Sequence, residues 1–318
     1  MPFSLPKIRS LNAEIARAFK QPPVAVFVGG TAGIGEGMVR TLAKHTNGNS
    51  NIIIVGRNKE AADEILASLP PAPAGVKREF IQCDATLMKN ISATTKEILS
   101  RYSKINYLVM TTGIMTLGGR DETTEGIDKK LAVHYYTRWK FLSDLLPALE
   151  SAKEAGEEAK VVNVHAAGKG GSTDLDDLDL KKNYSSPRSA LTTPTYNDLM
   201  MEASNLNAQS FAEKSPKITF IHAYPGIVRT TLMSKSDSWL LRSTSSLTMA
   251  LARPFSVSRE ECGEYMWHAA LSTANAPGAW RTGSLGEDLA KKNYYGDAEQ
   301  RKALWDHTVQ TVEAALEK

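Results

Sequence analysis

The 318 residues carry 38 basic and 35 acidic side chains, a formal charge of +3, and 42% hydrophobic residues. That is ample material for a core and excludes a disordered chain, while the charge is too small and scattered for a nucleic-acid footprint. No apolar run approaches the roughly 20 residues of a bilayer-spanning helix. Cys83 and Cys262 stand far apart with no histidine cluster nearby, which argues against a disulfide scaffold or a metal site and suits a reducing, cytoplasmic setting.

Residues 1–23 place Ile8, Leu11, Ile15 and Phe19 at helical spacing, with Lys7, Arg9, Arg17 and Lys20 among them. A basic helix of this kind suits a mitochondrial address or a helix packed on the domain, and we read it as the latter. From Val24 short β-branched runs alternate with helical patterns. VAVFVG (24–29), NIIIVGR (51–57), KREFIQCD (77–84), NYLVMTTG (106–113), VVNVHAAG (161–168) and KITFIHAYPG (217–226) predict strands. GIGEGMVRTLAKH and KEAADEILASL predict helices, as does a stripe of Ile127, Leu131, His134, Arg138, Leu142 and Leu145. Residues 169–193 predict a long loop, in which DLDDLDL (174–180) reads as a solvated surface segment. A helix from Pro194, capped by Thr193, would put Tyr196, Leu199, Met200, Ala203 and Leu206 on one inward stripe. Strands separated by helices imply one domain over 24–318, a parallel sheet covered on both faces.

Gly29, Gly33 and Gly35 lie at the first strand–helix junction, in VGGTAGIGEG (28–37). The first permits a tight turn; the others let the backbone and helix approach a pyrophosphate at the helix N-terminus. The second strand ends in Arg57 and Asn58 instead of an acidic residue that would hold a ribose 2′-hydroxyl. A guanidinium suits a 2′-phosphate, so NADP(H) is the expected cofactor.

These segments together resemble the short-chain dehydrogenase/reductase family over about Val24 to Leu232, most of all its divergent fungal members serving secondary metabolism. The resemblance implies a Rossmann-like, doubly wound three-layer α/β/α fold. It implies a cofactor loop through Thr31 and Ile34, an adenine-contacting Asp84 beside Ala85, and Thr112 and Gly113 in the slot of the Asn-Asn-Ala-Gly strand. Pro225, Gly226, Val228 and Thr230 would flank the nicotinamide. The family's Asn-Ser-Tyr-Lys tetrad would fall on His134, on His165 or Ala166, on Tyr196 and on Met200. Tyr196 lies 29 residues before Pro225, close to the family's spacing, and is a candidate proton donor or a core residue. His165, at a strand's carboxyl end, could donate to a substrate oxygen or be satisfied by its neighbours. Residues 232–257 would cover the substrate, with Trp239, Leu240, Leu241, Leu247 and Met249 lining an apolar pocket.

The expected function is NADP(H)-dependent reduction of a C=O or activated C=C in an apolar small molecule. Rivals are an isomerase, dehydratase or cyclase on the same scaffold, and a non-catalytic NADP(H)-binding protein. The resemblance further implies a homodimer through the helices bearing His134 and Tyr196.

Overall fold

The computed structural model describes residues 3–202 and 210–318. Strands β1 (Val24–Val28), β2 (Asn51–Gly56), β3 (Arg78–Gln82), β4 (Tyr107–Met110), β5 (Lys160–Val164), β6 (Thr219–Ala223) and β7 (Gly278–Thr282) form one sheet in the order β3-β2-β1-β4-β5-β6-β7. Every pairing is parallel, so each connection crosses a sheet face, and helices cover both sides. The helices are α1 (Leu5–Arg17), α2 (Gly33–His45), α3 (Lys59–Ser68), α4 (Met88–Arg101), α5 (Lys129–Leu131), α6 (Thr137–Glu154), α7 (Ser186–Met201), α8 (Phe211–Lys214), α9 (Trp239–Ala252), α10 (Arg259–His268) and α11 (Ala298–Glu317).

Alternation along the strands builds two cores. Val24, Val26 and Val28 join the layer of α4, α6, α7 and α11, whereas Ala25 and Phe27 join that of α1, α2, α3 and α10. The N-terminal helix α1 packs on α10: Ile8 is fully buried, and Asn12 Nδ2 donates to Glu264 Oε2 and to the Glu264 carbonyl, both at 2.9 Å. Glu264 Oε2 also meets His45 Nε2 of α2 at 2.8 Å, joining three helices. Beneath them Trp267 fills the core and donates to the Met38 carbonyl at 2.8 Å. Among the described residues, no helix is long and apolar enough to cross a membrane.

Three local expectations need correction. The predicted strands run on into residues that form loops at the carboxyl edge, and β7 was not anticipated. Half-exposed and without a β-branched run, GAWRT has little strand signal of its own and gains its place by pairing with β6. The helix expected from Pro194 begins at Ser186 instead, where Ser185 caps the Arg188 amide and Pro187 enters the first turn. Pro194 sits inside it, and the loop closes against that point: the Gly171 amide donates to the Leu191 carbonyl at 2.9 Å, and Thr195 Oγ1 donates to the Gly171 carbonyl at 2.7 Å. Ala203 and Leu206 of the expected stripe lie outside the described residues.

The third correction concerns 174–180, which is not a solvated run. Asp177 is buried and accepts from the Lys182 and Asn183 amides at 2.9 and 3.0 Å, so those donors hold its carboxyl below the usual range. Leu178 and Leu180 are buried beside it. Between α5 and α6 the chain takes a π-helical turn, Ala132–Tyr136, and the His134 carbonyl there accepts from Asn197 of α7.

Candidate functional site

A cleft of about 390 Å³ opens at the carboxyl edge of the sheet, where the strand order reverses between β1 and β4. The glycine loop forms one wall. Gly29 and Gly33 take φ of +93° and +59°, which only glycine adopts freely. A Cβ on Gly35 would stand 2.4 Å from the Gly29 carbonyl oxygen and 2.5 Å from Thr111 Oγ1. No side chain caps α2, so the amides of its first turn are left for an anion. Thr31 and Ile34 line the same wall; Gly35 does not, and acts by letting α2 approach the loop.

The β2 end of the cleft is lined by Arg57, exposed, and Asn58, with no carboxylate between them and the loop. Asn58 Oδ1 caps α3, accepting the Ala61 amide at 3.1 Å, which leaves only its amide nitrogen for a ligand. Asp84 and Ala85 line the floor, and Asp84 Oδ1 is held by the Thr86 amide and hydroxyl at 3.0 and 2.9 Å. Thr112, Gly113 and Thr230 close the β4 side. Pro225, Gly226 and Val228 do not line the cleft; Gly226, at φ +72°, turns the chain after β6. A cradle that a Cβ would fill, bare helix amides and a guanidinium fit a phosphorylated dinucleotide.

The catalytic half departs from expectation. Tyr196 faces the core, away from the cleft: its ring packs on Tyr135 with centroids 5.2 Å apart, and its hydroxyl donates to the Leu178 carbonyl at 2.8 Å. Burial pushes this phenol above its ordinary pKa. Met200 lies in the same apolar cluster. The face of α7 turned to β5 is carried by Thr193 and Asn197, also four residues apart, because three residues back along a helix is a rotation of about 60°. Thr193 Oγ1 donates to the Ser189 carbonyl and meets His165 Nε2, both at 3.0 Å. With its proton so engaged, Thr193 accepts from His165, which is therefore satisfied by a neighbour and does not line the cleft. Asn197 Nδ2 reaches the His134 carbonyl at 2.9 Å, and its Oδ1 accepts from Asn163 at 2.7 Å. Thr193 and Asn197 thus occupy the places where the sequence reading put Tyr196 and Met200.

His134 Nε2 accepts the Ile114 amide at 3.1 Å and pins the segment that walls the β4 side. Burial and the nearby Arg138 and Lys130 push it down to about 3, so it is neutral with its proton on Nδ1. His165 is likewise lowered by burial, then by Arg138 and the histidines beside it. Its ring lies 5.0 Å from His134 and 6.2 Å from His222. The expected apolar pocket is absent among the described residues: Trp239, Leu240 and Leu247 of α9 are exposed, and only residues 232 and 235–237 of that segment line the cleft. Sequence reasoning missed Thr193, Asn197, Asn163 and Arg138 as a group. The one local signal was the four-residue spacing of Thr193 and Asn197.

Tyr196→Phe is expected to leave turnover within about threefold while costing about 1–3 kcal/mol, the price of orphaning the Leu178 carbonyl. Steady-state rates and denaturant unfolding measure both. A rate loss of roughly 10²-fold or more would make Tyr196 the proton donor after all.

A family model described as short chain dehydrogenase matches residues 23–241, and the chain belongs to that family. It is 32% identical to the oxidoreductase AN1596 of Emericella nidulans, over 92% of this chain and 94% of that protein. It is 33% identical to the oxidoreductase andH of Emericella variicolor, over 86% and 77% of the two chains. Among solved structures, the MalC reductase/Diels-Alderase of Malbranchea aurantiaca superposes with a TM-score of 0.58 at 16% identity, over 87% of this chain and 98% of that one. The NADPH-bound carbonyl reductase from chicken fatty liver has the same TM-score at 17% identity, over 86% and 100%. At such identity the likeness shows the fold alone.

Proposed function

We propose that this protein is an NADP(H)-dependent reductase of a C=O or activated C=C in an apolar small molecule such as a secondary metabolite. The observation that carries the reading is the cleft itself, with its glycine wall, bare α2 amides and Arg57 where an NAD enzyme would place an acid. The NADPH-bound neighbour supports the cofactor assignment. Reduction is favoured over oxidation because no tuned phenol or lysine stands at the β5 face of α7 to take a proton from an alcohol. The free, buried cysteines support a cytoplasmic location.

Arg57→Ala tests the cofactor. NADPH should bind the wild type roughly 10- to 150-fold more tightly than NADH, the worth of a charge-assisted phosphate contact, and the variant should lose most of that ratio. Equal affinities in the wild type, by fluorescence titration, would end the NADP assignment. A second reading, isomerisation, dehydration or cyclisation on the same scaffold, draws support from Thr193 and Asn197 standing where the family uses tyrosine and lysine. Incubation with apolar carbonyl and enone panels separates the two: NADPH consumed with a reduced product supports reduction, and product without cofactor turnover supports the second reading.

A further inference from the structure

Arg138, in the first turn of α6, is 1% exposed and turned toward the carboxyl ends of β4 and β5. Its Nε donates to Asn163 Oδ1 at 2.6 Å, and Nη2 to the carbonyls of Thr112 at 2.7 Å and Val164 at 3.2 Å. Nη1 donates to Thr112 Oγ1 at 3.3 Å and to the Val133 carbonyl. Every one of these acceptors is neutral. The ionisable groups that act electrostatically with it are His134 and His165, both neutral, and Lys130 adds positive charge at His134. The nearby carboxylate Asp198 is engaged by His222 at 2.6 Å and Arg281 at 3.0 Å. A buried cation without a carboxylate is costly and is found where the charge serves a purpose.

Thr112 and Val133, which hold the guanidinium, both line the cleft, so the charge lies one residue beneath its wall. With pyrophosphate at the glycine loop and adenosine at Arg57, the β4 side is left for the nicotinamide half. We propose that Arg138 is a fixed positive charge that makes this site favour the neutral reduced nicotinamide over the cationic oxidised ring. The inference rests on the nicotinamide-cofactor reading above. It turns the network Arg138–Asn163–Asn197 from a mere filler of the vacated lysine position into a device that holds NADPH and releases NADP+. Two unit charges about 8 Å apart at an effective dielectric of about 20 repel enough to separate two affinities by roughly 30-fold.

Calorimetric titration of NADPH and NADP+ tests this without any substrate. The wild type should bind NADPH about 10- to 30-fold more tightly than NADP+, and Arg138→Lys should keep most of that ratio. Arg138→Gln should bring the ratio within about threefold. Asn163→Asp, which sets a carboxylate against Nε with almost no change of shape, should do the same even if the Gln variant proves unstable. A wild type that binds both forms equally, or an Asn163→Asp protein that keeps the wild-type ratio, overturns the proposal while leaving the cofactor assignment standing. A wild type that binds neither form overturns both.

Discussion

Gly35→Ala is expected to reduce NADPH affinity by at least about 100-fold and to destabilise the fold by about 2–4 kcal/mol. The added methyl would need the space of the Gly29 carbonyl oxygen and Thr111 Oγ1, at 2.4 and 2.5 Å. Neither is the end of a flexible side chain, so relief requires α2 to move off the loop. That movement withdraws the amides that would face the pyrophosphate, linking packing loss to binding loss. Gly33→Val should abolish binding by another route. At φ +59° a β-branched residue is strained whatever the space around it, and its side chain would also meet Thr230 Cγ2, 3.2 Å from the built Cβ. Fluorescence titration and thermal unfolding read the two effects separately. A folded Gly35→Ala protein with wild-type affinity would remove this loop from the cofactor site.

Met200→Lys should destabilise the protein by about 3–5 kcal/mol without improving alcohol oxidation. Met200 is 1% exposed within an apolar cluster shared with Leu199, Tyr196 and Tyr135, where an ammonium finds neither a carboxylate nor water. Asn197→Lys is the informative contrast. It keeps an amine near the His134 carbonyl that Asn197 Nδ2 now reaches at 2.9 Å, and should cost less. Urea unfolding of the two variants measures the difference. Equal stabilities would mean that α7 can turn Met200 toward β5, and that the rotation described above is not the one in solution.

The two halves of the site differed in how far they could be read from residues in order. The cofactor half was legible because its parts are short and local. Gly29, Gly33 and Gly35 sit within one turn, and Arg57 and Asp84 follow directly on β2 and β3. The proton-handling half was misread by three residues, because a tyrosine at the right distance from Pro225 outweighed the helix's own geometry. Asp177 was misread for a related reason: an acidic run looks solvated until its partners, here the Lys182 and Asn183 amides, fold back onto it.

Strand–helix alternation, the parallel sheet and the glycine cradle were determined by the sequence alone, since each rests on periodicity or backbone freedom within a few residues. The rotation of α7 was decided only by tertiary structure. It follows from the Leu178 carbonyl taking the Tyr196 hydroxyl, from Thr195 docking on Gly171, and from the π-helical turn offering the His134 carbonyl to Asn197. The burial of Arg138 was decided the same way, by carbonyls on β4, β5 and the turn before α6 converging on one guanidinium. Spacing along one helix cannot choose among its faces; partners distant in sequence make that choice, through hydrogen bonds that exist only once the sheet has formed.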